Sequence, residues 1–319
     1  MSTRAAEVYR AIADNVSQVV RGKPELIRLT VAALFAEGHL LLEDVPGVGK
    51  TTLAQCLARS VGGTWHRIQF TPDLMPGDIT GVTVYRQKDE DFVFHPGGVF
   101  ANVVVADEIN RGTPKTQSAL LEVMSEQRVT VDAVGHDVPR PFLVVATQNP
   151  IEMEGTYRLP EAQLDRFLMR LTVGYPDLAS EVLVIMSEAA GVSPRDLPAV
   201  VDLPTVTAAI AEVRASHVDR GVCEYAARLA AATRGHPAVR FGASPRGSIA
   251  LVRAGQGLAA TAGRAYVTPD DIKDVAIPVL AHRLVLTAEA ELGRRGADEI
   301  VREVLDAVPA PGPLPVAAR

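Results

Sequence analysis

Cysteine is scarce: only Cys56 and Cys223 occur in 319 residues, far apart in the chain. No disulfide framework and no CxxC metal site can be built from such a pair, which fits a reducing cytosol. Long apolar runs are missing too. The longest, "FANVVVA" and "PFLVVAT", fall far short of the roughly 20 residues that cross a bilayer, so no membrane span is expected. The first residues, "MSTRAAEVYRAIADNVSQVVRGK", carry charges throughout and have no apolar core, and are not read as a signal peptide. A basic excess is also lacking. The formal net charge is −6 and the pI about 5.7, which argues against nucleic acid as the main partner, although a local basic patch is compatible with it. The seven histidines are scattered and make no HExxH or comparable spacing, so no structural metal site is assigned.

What is present is an ordinary globular balance, 47% hydrophobic and 22% charged residues, with length for two or three domains. Two helices are expected first, over 5–20 and in "PELIRLTVAALFAEG". "HLLLED" then reads as a buried strand and "KTTLAQCLARSVGG" as a helix. "TWHRIQF", "ANVVVADE" and "FLVVATQNP" are further strand candidates. "TPKTQSALLEVMSEQ" is a helix capped by Thr113 with Pro114 at its first position. Two irregular stretches read as hairpins: one over about 72–96, the other turning near Gly135. Strands alternating with helices imply an α/β core, a parallel sheet with helices on both faces. After Tyr175-Pro176-Asp177 the chain becomes helical and alanine-rich, including a capping-box start at Thr268 and Asp271. The expected organisation is a nucleotide-binding core over 1–176, a helical domain over 177–307 and a proline-rich, frayed tail over 308–319.

The chemistry begins at "EDVPGVGKTT", Glu43 to Thr52. A buried strand, a glycine turn and a helix start are the setting a phosphate loop needs. Val45, Pro46, Gly47, Val48, Gly49, Lys50, Thr51 and Thr52 form the loop and first turn. Their backbone N–H groups and the helix N-terminus favour an anion. Lys50 can reach the β- and γ-phosphates, and the Thr51 hydroxyl can ligate Mg²⁺. The departure is Asp44, where G-x-x-x-x-G-K-[ST] has its first glycine. Its side chain is expected to turn away from the phosphates or to cap the loop, leaving the amides of 47–52 to grip. The second signal is "VVVADE": Asp107 at a strand tip can hold Mg²⁺, and Glu108 can polarise the attacking water. Both motifs fall at carboxyl ends of strands in one sheet, where open α/β sheets bind ligands.

Further motifs follow in order: "FTPDLMPGDITG", "HPGGVFANVVVADEINRGTPKTQSALLEVMSE", "ATQNPIEMEGTYRLPEAQLDRF" and "GASPRG". Together with "LLEDVPGVGKT" they resemble the MoxR-type AAA+ ATPases, members of the helix-2-insert group, over about 40–247. The resemblance implies a P-loop AAA+ core followed by an all-helical lid, assembled as a hexameric ring with ATP and Mg²⁺ between subunits. It makes Asn149 the sensor-1 residue, Arg246 the sensor-2 residue closing over the phosphates, and Arg166 the arginine finger acting on the neighbour's ATP. Arg158 is a second candidate for the finger. Alone, Asn149 would be a strand-end turn, Arg246 a solvated helix residue, and Arg166 a partner of Asp165 or Glu161. Val20 to Lys23 resembles the adenine-pocket segment. The stretches over about 72–96 and 127–139 resemble the helix-2 insert and the hairpin before sensor 1. His95 and His136 there read as polar loop residues.

The implied activity is Mg²⁺-dependent ATP hydrolysis in the cytoplasm. It would drive chaperone-like remodelling, maturation of a protein complex or insertion of a metal cofactor, with a von Willebrand factor A domain protein as a partner. A nucleic-acid motor or transcription-activating ATPase is the alternative, and a nucleotide-gated binding module the third. The acidic balance speaks against the second reading, and the intact Lys50, Thr51, Asp107, Glu108 and Asn149 against the third.

Overall fold

The structure, a computed structural model, describes residues 3–45, 47–88, 90–149, 156–191 and 193–312. The chain opens with helices α1 (Arg4–Val16) and α2 (Pro24–Phe35), strand β1 (Leu40–Glu43) and helix α3 (Lys50–Ser60). Edge strand β2 (Trp65–Gln69) follows, then the short helix α4 (Pro76–Thr80) and a hairpin of β3 (Gly81–Arg86) and β4 (Asp91–Pro96). Strand β5 (Val103–Asp107) leads through a 3₁₀ turn (Ile109–Arg111) into α5 (Pro114–Glu126). A second hairpin, β6 (Arg128–Val131) and β7 (Val134–Asp137), precedes β8 (Leu143–Gln148), the short helix α6 (Glu161–Leu164) and β9 (Met169–Leu171).

Five strands make one parallel sheet in the order β2-β5-β8-β1-β9. Alternation along the strands splits their side chains between two layers. Leu40, Leu42, Val103, Val105, Leu143 and Val145 pack with α1, α2 and α3, whereas Leu41, Val104, Ala106, Val144 and Ala146 pack with α5 and with Ile79 of α4. Burial on both faces is why these strands read as continuous apolar runs. The expected caps form: the Thr113 hydroxyl accepts from the Thr116 N–H, and Thr268 and Asp271 cap each other's backbone.

From α7 (Leu178–Ala189) the chain is helical: α8 (Leu203–Arg214), α9 (Arg220–Gly235), α10 (Pro245–Thr261), α11 (Pro269–Leu280), α12 (Ala288–Leu292) and α13 (Ala297–Ala307). A two-stranded ribbon of β10 (Val239–Phe241) and β11 (Val285–Leu286) interrupts this region. Helix α10 approaches α2 so closely that a Cβ on Gly257 would stand 2.3 Å from the Ala32 carbonyl oxygen. The helical half therefore packs directly on the sheet's first layer, and the two share one apolar core.

Two local expectations change. The second hairpin turns at Asp132-Ala133, both with positive φ, and Gly135 lies within β7. His95 and His136 belong to β4 and β7, and His136 stacks on Phe94 with ring centroids 3.8 Å apart, joining the hairpins.

Candidate functional site

The tips of β1, β5 and β8 are adjacent, and the candidate residues gather there. After β1, Gly47 and Gly49 take φ of +85° and +89°. A Cβ at Gly47 would meet nothing within 4 Å, so glycine is needed for the left-handed backbone and not for space. Gly49 is the N-cap of α3 and no side chain caps the helix. The first N–H groups of the helix, over Lys50, Thr51 and Thr52, therefore remain available to a ligand. Val45 and Val48 complete the described part of the loop, and Pro46 lies outside the described residues.

Lys50 Nζ donates to the Asp44 carbonyl at 2.6 Å and to the Val45 carbonyl at 3.3 Å. Burial lowers the Lys50 pKa, opposed by the carboxylates of Asp44, Asp107 and Glu108. Asp44 turns its carboxylate onto backbone N–H groups: Oδ1 accepts from Val45 at 2.7 Å, and Oδ2 from Val173 at 2.9 Å and Gly174 at 2.5 Å.

At the tip of β5 the hydroxyl of buried Thr147 donates to Asp107 Oδ1 at 2.6 Å and accepts from the Glu108 N–H at 2.9 Å. Arg67 Nε and Nη2 lie 3.0 and 2.5 Å from Asp107 Oδ2. Glu108 has φ of +54°, an uncommon conformation for a residue with a side chain and one that marks functional turns. Its Oε2 accepts from Gln69 Nε2 at 3.1 Å and Arg111 Nη1 at 3.0 Å. Asn149 is buried just beyond β8.

The Thr51 hydroxyl and Asp107 carboxylate are hard oxygen donors of the kind Mg²⁺ prefers. Among the described residues no cluster of three or more His, Cys, Asp or Glu side chains could hold a metal ion.

Two cavities flank these tips. One of about 610 Å³ is lined by Glu43, Asn110, Gln148, Asn149, Arg158 and Arg170 together with residues of β11, α12 and α13. The other, about 350 Å³, lies between Gly22–Lys23, the end of β9, and Ile277 and Pro278 of α11. Arg170 borders both, and its guanidinium bridges Glu43 at 3.0 Å and Asp298 at 2.8 Å.

Arg166 and Arg246 do not join this group. Arg166 is exposed, and its Nη1 donates to the Leu121 carbonyl at 2.5 Å and Ser125 Oγ at 2.7 Å on α5. The alternative ion pair, with Asp165 or Glu161, is not found among the described residues; Asp165 pairs with buried Arg283 at 2.8 Å. Arg246 is exposed at the start of α10, whose N-cap Ser244 donates to Asp165 Oδ2 at 3.2 Å. Among the described residues neither arginine hydrogen-bonds to the phosphate loop. Arg158 lines the same cavity as Asn149 of its own chain.

Sequence reasoning missed Arg67, Gln69, Arg111 and Thr147. Gln69 lies beside Asp107 in the β2–β5 register. A polar residue ending the strand next to an acidic tip was the available signal, but it requires knowing which strands are neighbours.

The match to known families agrees with this geometry. Residues 39–169 match the ATPase family associated with various cellular activities (AAA), and residues 231–304 match the AAA lid domain. The chain is 47% identical to the uncharacterized protein YeaC of Bacillus subtilis, over 93% of each chain. It is 43% identical to chaperone MoxR1 of Mycobacterium tuberculosis, covering 96% of this chain and 84% of the relative. Protein MoxR of Methylorubrum extorquens is 34% identical over 93% of each. A crystal structure from Cytophaga hutchinsonii, described as that of a candidate ATPase, superposes with a TM-score of 0.90 at 36% identity over 97% of both chains.

Proposed function

We propose the function of this chain from its family: it belongs to the MoxR family of AAA ATPases, with a P-loop core and a lid region. The proposal is Mg²⁺-dependent hydrolysis of ATP, coupled to chaperone-like remodelling or maturation of a protein complex. Relatives named as chaperone and as MoxR support that class of work.

The observation that carries the reading is the acidic tip of β5. Asp107 is fixed by Thr147 and Arg67, and Glu108 is turned by its positive φ into reach of Gln69 and Arg111. In this reading the amides of 47–52 and Lys50 bind the phosphates. Thr51 and Asp107 would hold Mg²⁺, which would supply charge neutralisation to the phosphates when bound. Glu108 orients and polarises the attacking water, and Asn149 steadies the same region from the next strand tip. The 350 Å³ cavity beside Gly22 and Lys23 suits the adenine ring.

Arg166 is assigned to a neighbouring copy's nucleotide, and Arg246 to closure over the nucleotide of its own chain, as the resemblance implies. Arg166 is exposed and held on α5 by Leu121 and Ser125, which leaves it open to a neighbouring copy and so supports a ring of identical subunits, the hexamer that the resemblance implies. Among the described residues no helix is long and apolar enough to cross a membrane. The two free cysteines support a reducing, cytoplasmic setting. The client, a metal-cofactor target and a von Willebrand factor A partner remain part of the proposal.

Glu108→Gln tests the reading. ATP turnover should fall at least about 100-fold, in the range expected for loss of a general base, while ATP binding persists. Turnover at the wild-type rate would remove Glu108 from its role.

A further inference from the structure

We propose that Asp44 is a positioning residue that straps the phosphate loop to the root of α7, so that occupancy of the loop is read out in the chain leaving the sheet. The proposal rests on reading 47–52 as a phosphate loop.

One side chain at the loop's root takes three backbone hydrogen bonds: from Val45 N–H within the loop, and from Val173 and Gly174 N–H beyond β9. Gly174 has φ of +65°. Two successive N–H groups converging on one oxygen form an anion-binding concavity, and an ionised acceptor makes these bonds stronger than neutral ones. A glycine, the usual residue at this place in a phosphate loop, has no side chain with which to make them. The departure from the pattern is therefore the feature that connects the two segments.

The same junction is held from the cavity side. Lys23 Nζ donates to the Tyr175 carbonyl at 2.8 Å. Gly22 passes so close to α7 that a Cβ there would stand 2.2 Å from Ser180 Oγ. Asp177 caps α7 by accepting from the Ser180 N–H at 2.7 Å. Residues 173–180 thus touch both the loop root and the Gly22–Lys23 wall.

The strap has a moving end. Lys50 Nζ rests on the Asp44 and Val45 carbonyls, and a bound phosphate would draw that ammonium away. Loss of this donor changes the backbone of Asp44, and the carboxylate carries the change to Val173 and Gly174. The chain then enters α7, whose Leu183, Ile185 and Met186 are exposed. A nucleotide-dependent shift at 173–174 would therefore reorient an apolar helix at the molecular surface.

The test is amide hydrogen exchange on the full chain, with and without a non-hydrolysable ATP analogue, in wild type, Asp44→Gly and Asp44→Asn. Wild type should show analogue-dependent changes over both 47–57 and 173–189. Asp44→Gly should keep the change over 47–57 and lose it over 173–189, with KM for ATP within about threefold and kcat lowered about tenfold, a split that reports coupling and not binding. Asp44→Asn has nearly the same shape but one acceptor oxygen fewer. It should fall between the other two, and it keeps the test open if the glycine variant folds poorly. A response over 173–189 in Asp44→Gly equal to wild type would overturn the strap alone. A wild type with no change over 47–57 would overturn the phosphate-loop reading, and the strap with it.

Discussion

Thr147 is almost wholly buried, yet its hydroxyl serves both acidic residues of β5, donating to Asp107 and accepting from the Glu108 N–H. Thr147→Val keeps the shape and leaves a carboxylate oxygen and an N–H short of a partner. The expected cost is about 1–3 kcal/mol of stability, read from the urea midpoint, together with slower ATP turnover because Asp107 and Glu108 lose their common anchor. Unchanged stability and turnover would remove Thr147 from the site. At this scale the sequence was informative where chemistry is local. Gly47, Gly49, Lys50, Asp107 and Glu108 could be named because each sits at the end of an apolar run or the start of a helix. Thr147, Gln69 and Arg67 could not, because their contacts come from strand register. The direction of the Asp44 carboxylate was legible only as a choice between turning away and capping; the structure shows it capping, onto Val45 and onto Val173 and Gly174.

His39 illustrates how elements are joined. It lies just before β1, fully buried, with Nε2 against the Met124 carbonyl of α5 at 3.0 Å and Nδ1 accepting from the Val144 N–H of β8 at 3.0 Å. Only the neutral ring can make both bonds, and burial lowers its pKa from the ordinary 6.5 to about 4. A folded-state value below the unfolded one means this stability is fully present above about pH 6.5 and is lost as pH falls towards 4. The loss amounts to about 3 kcal/mol at most. Burial lowers His282 in the same direction. Urea unfolding between pH 7.5 and 4.5 should therefore show a steeper loss in wild type than in His39→Gln, which lacks the titration; equal slopes would refute it. The buried strands were readable because both faces are apolar. The turn at Asp132-Ala133 was not, since two non-glycine residues adopt positive φ there. The ribbon of β10 and β11 is too short to show a period.

For the whole molecule, the order of α/β core and helical region follows from the alternating strand and helix patterns and the alanine-rich helical runs after them, but how they meet does not. The close approach of α10 to α2 at Gly257 fixes the helical half against the sheet's first layer. That arrangement brings the N-cap of α10, Ser244, onto Asp165. Sequence motifs can name an arginine without saying whose nucleotide it serves. Arg166 is exposed and held on α5, which suits a neighbouring copy as recipient in the proposed ring. In the proposed ring the site would be complete only between subunits, with Glu108 from one and Arg166 from the next.

Mixing two inactive variants tests this directly. Glu108→Gln and Arg166→Ala are each expected to lose ATP turnover alone. In a mixed assembly, some interfaces pair an intact Glu108 from the Arg166→Ala chain with an intact Arg166 from the Glu108→Gln chain. ATP turnover should therefore reappear on mixing, and should vary with the ratio of the two chains. If co-assembled variants show no more turnover than either alone at every ratio, the site is not shared in this way and the central claim fails.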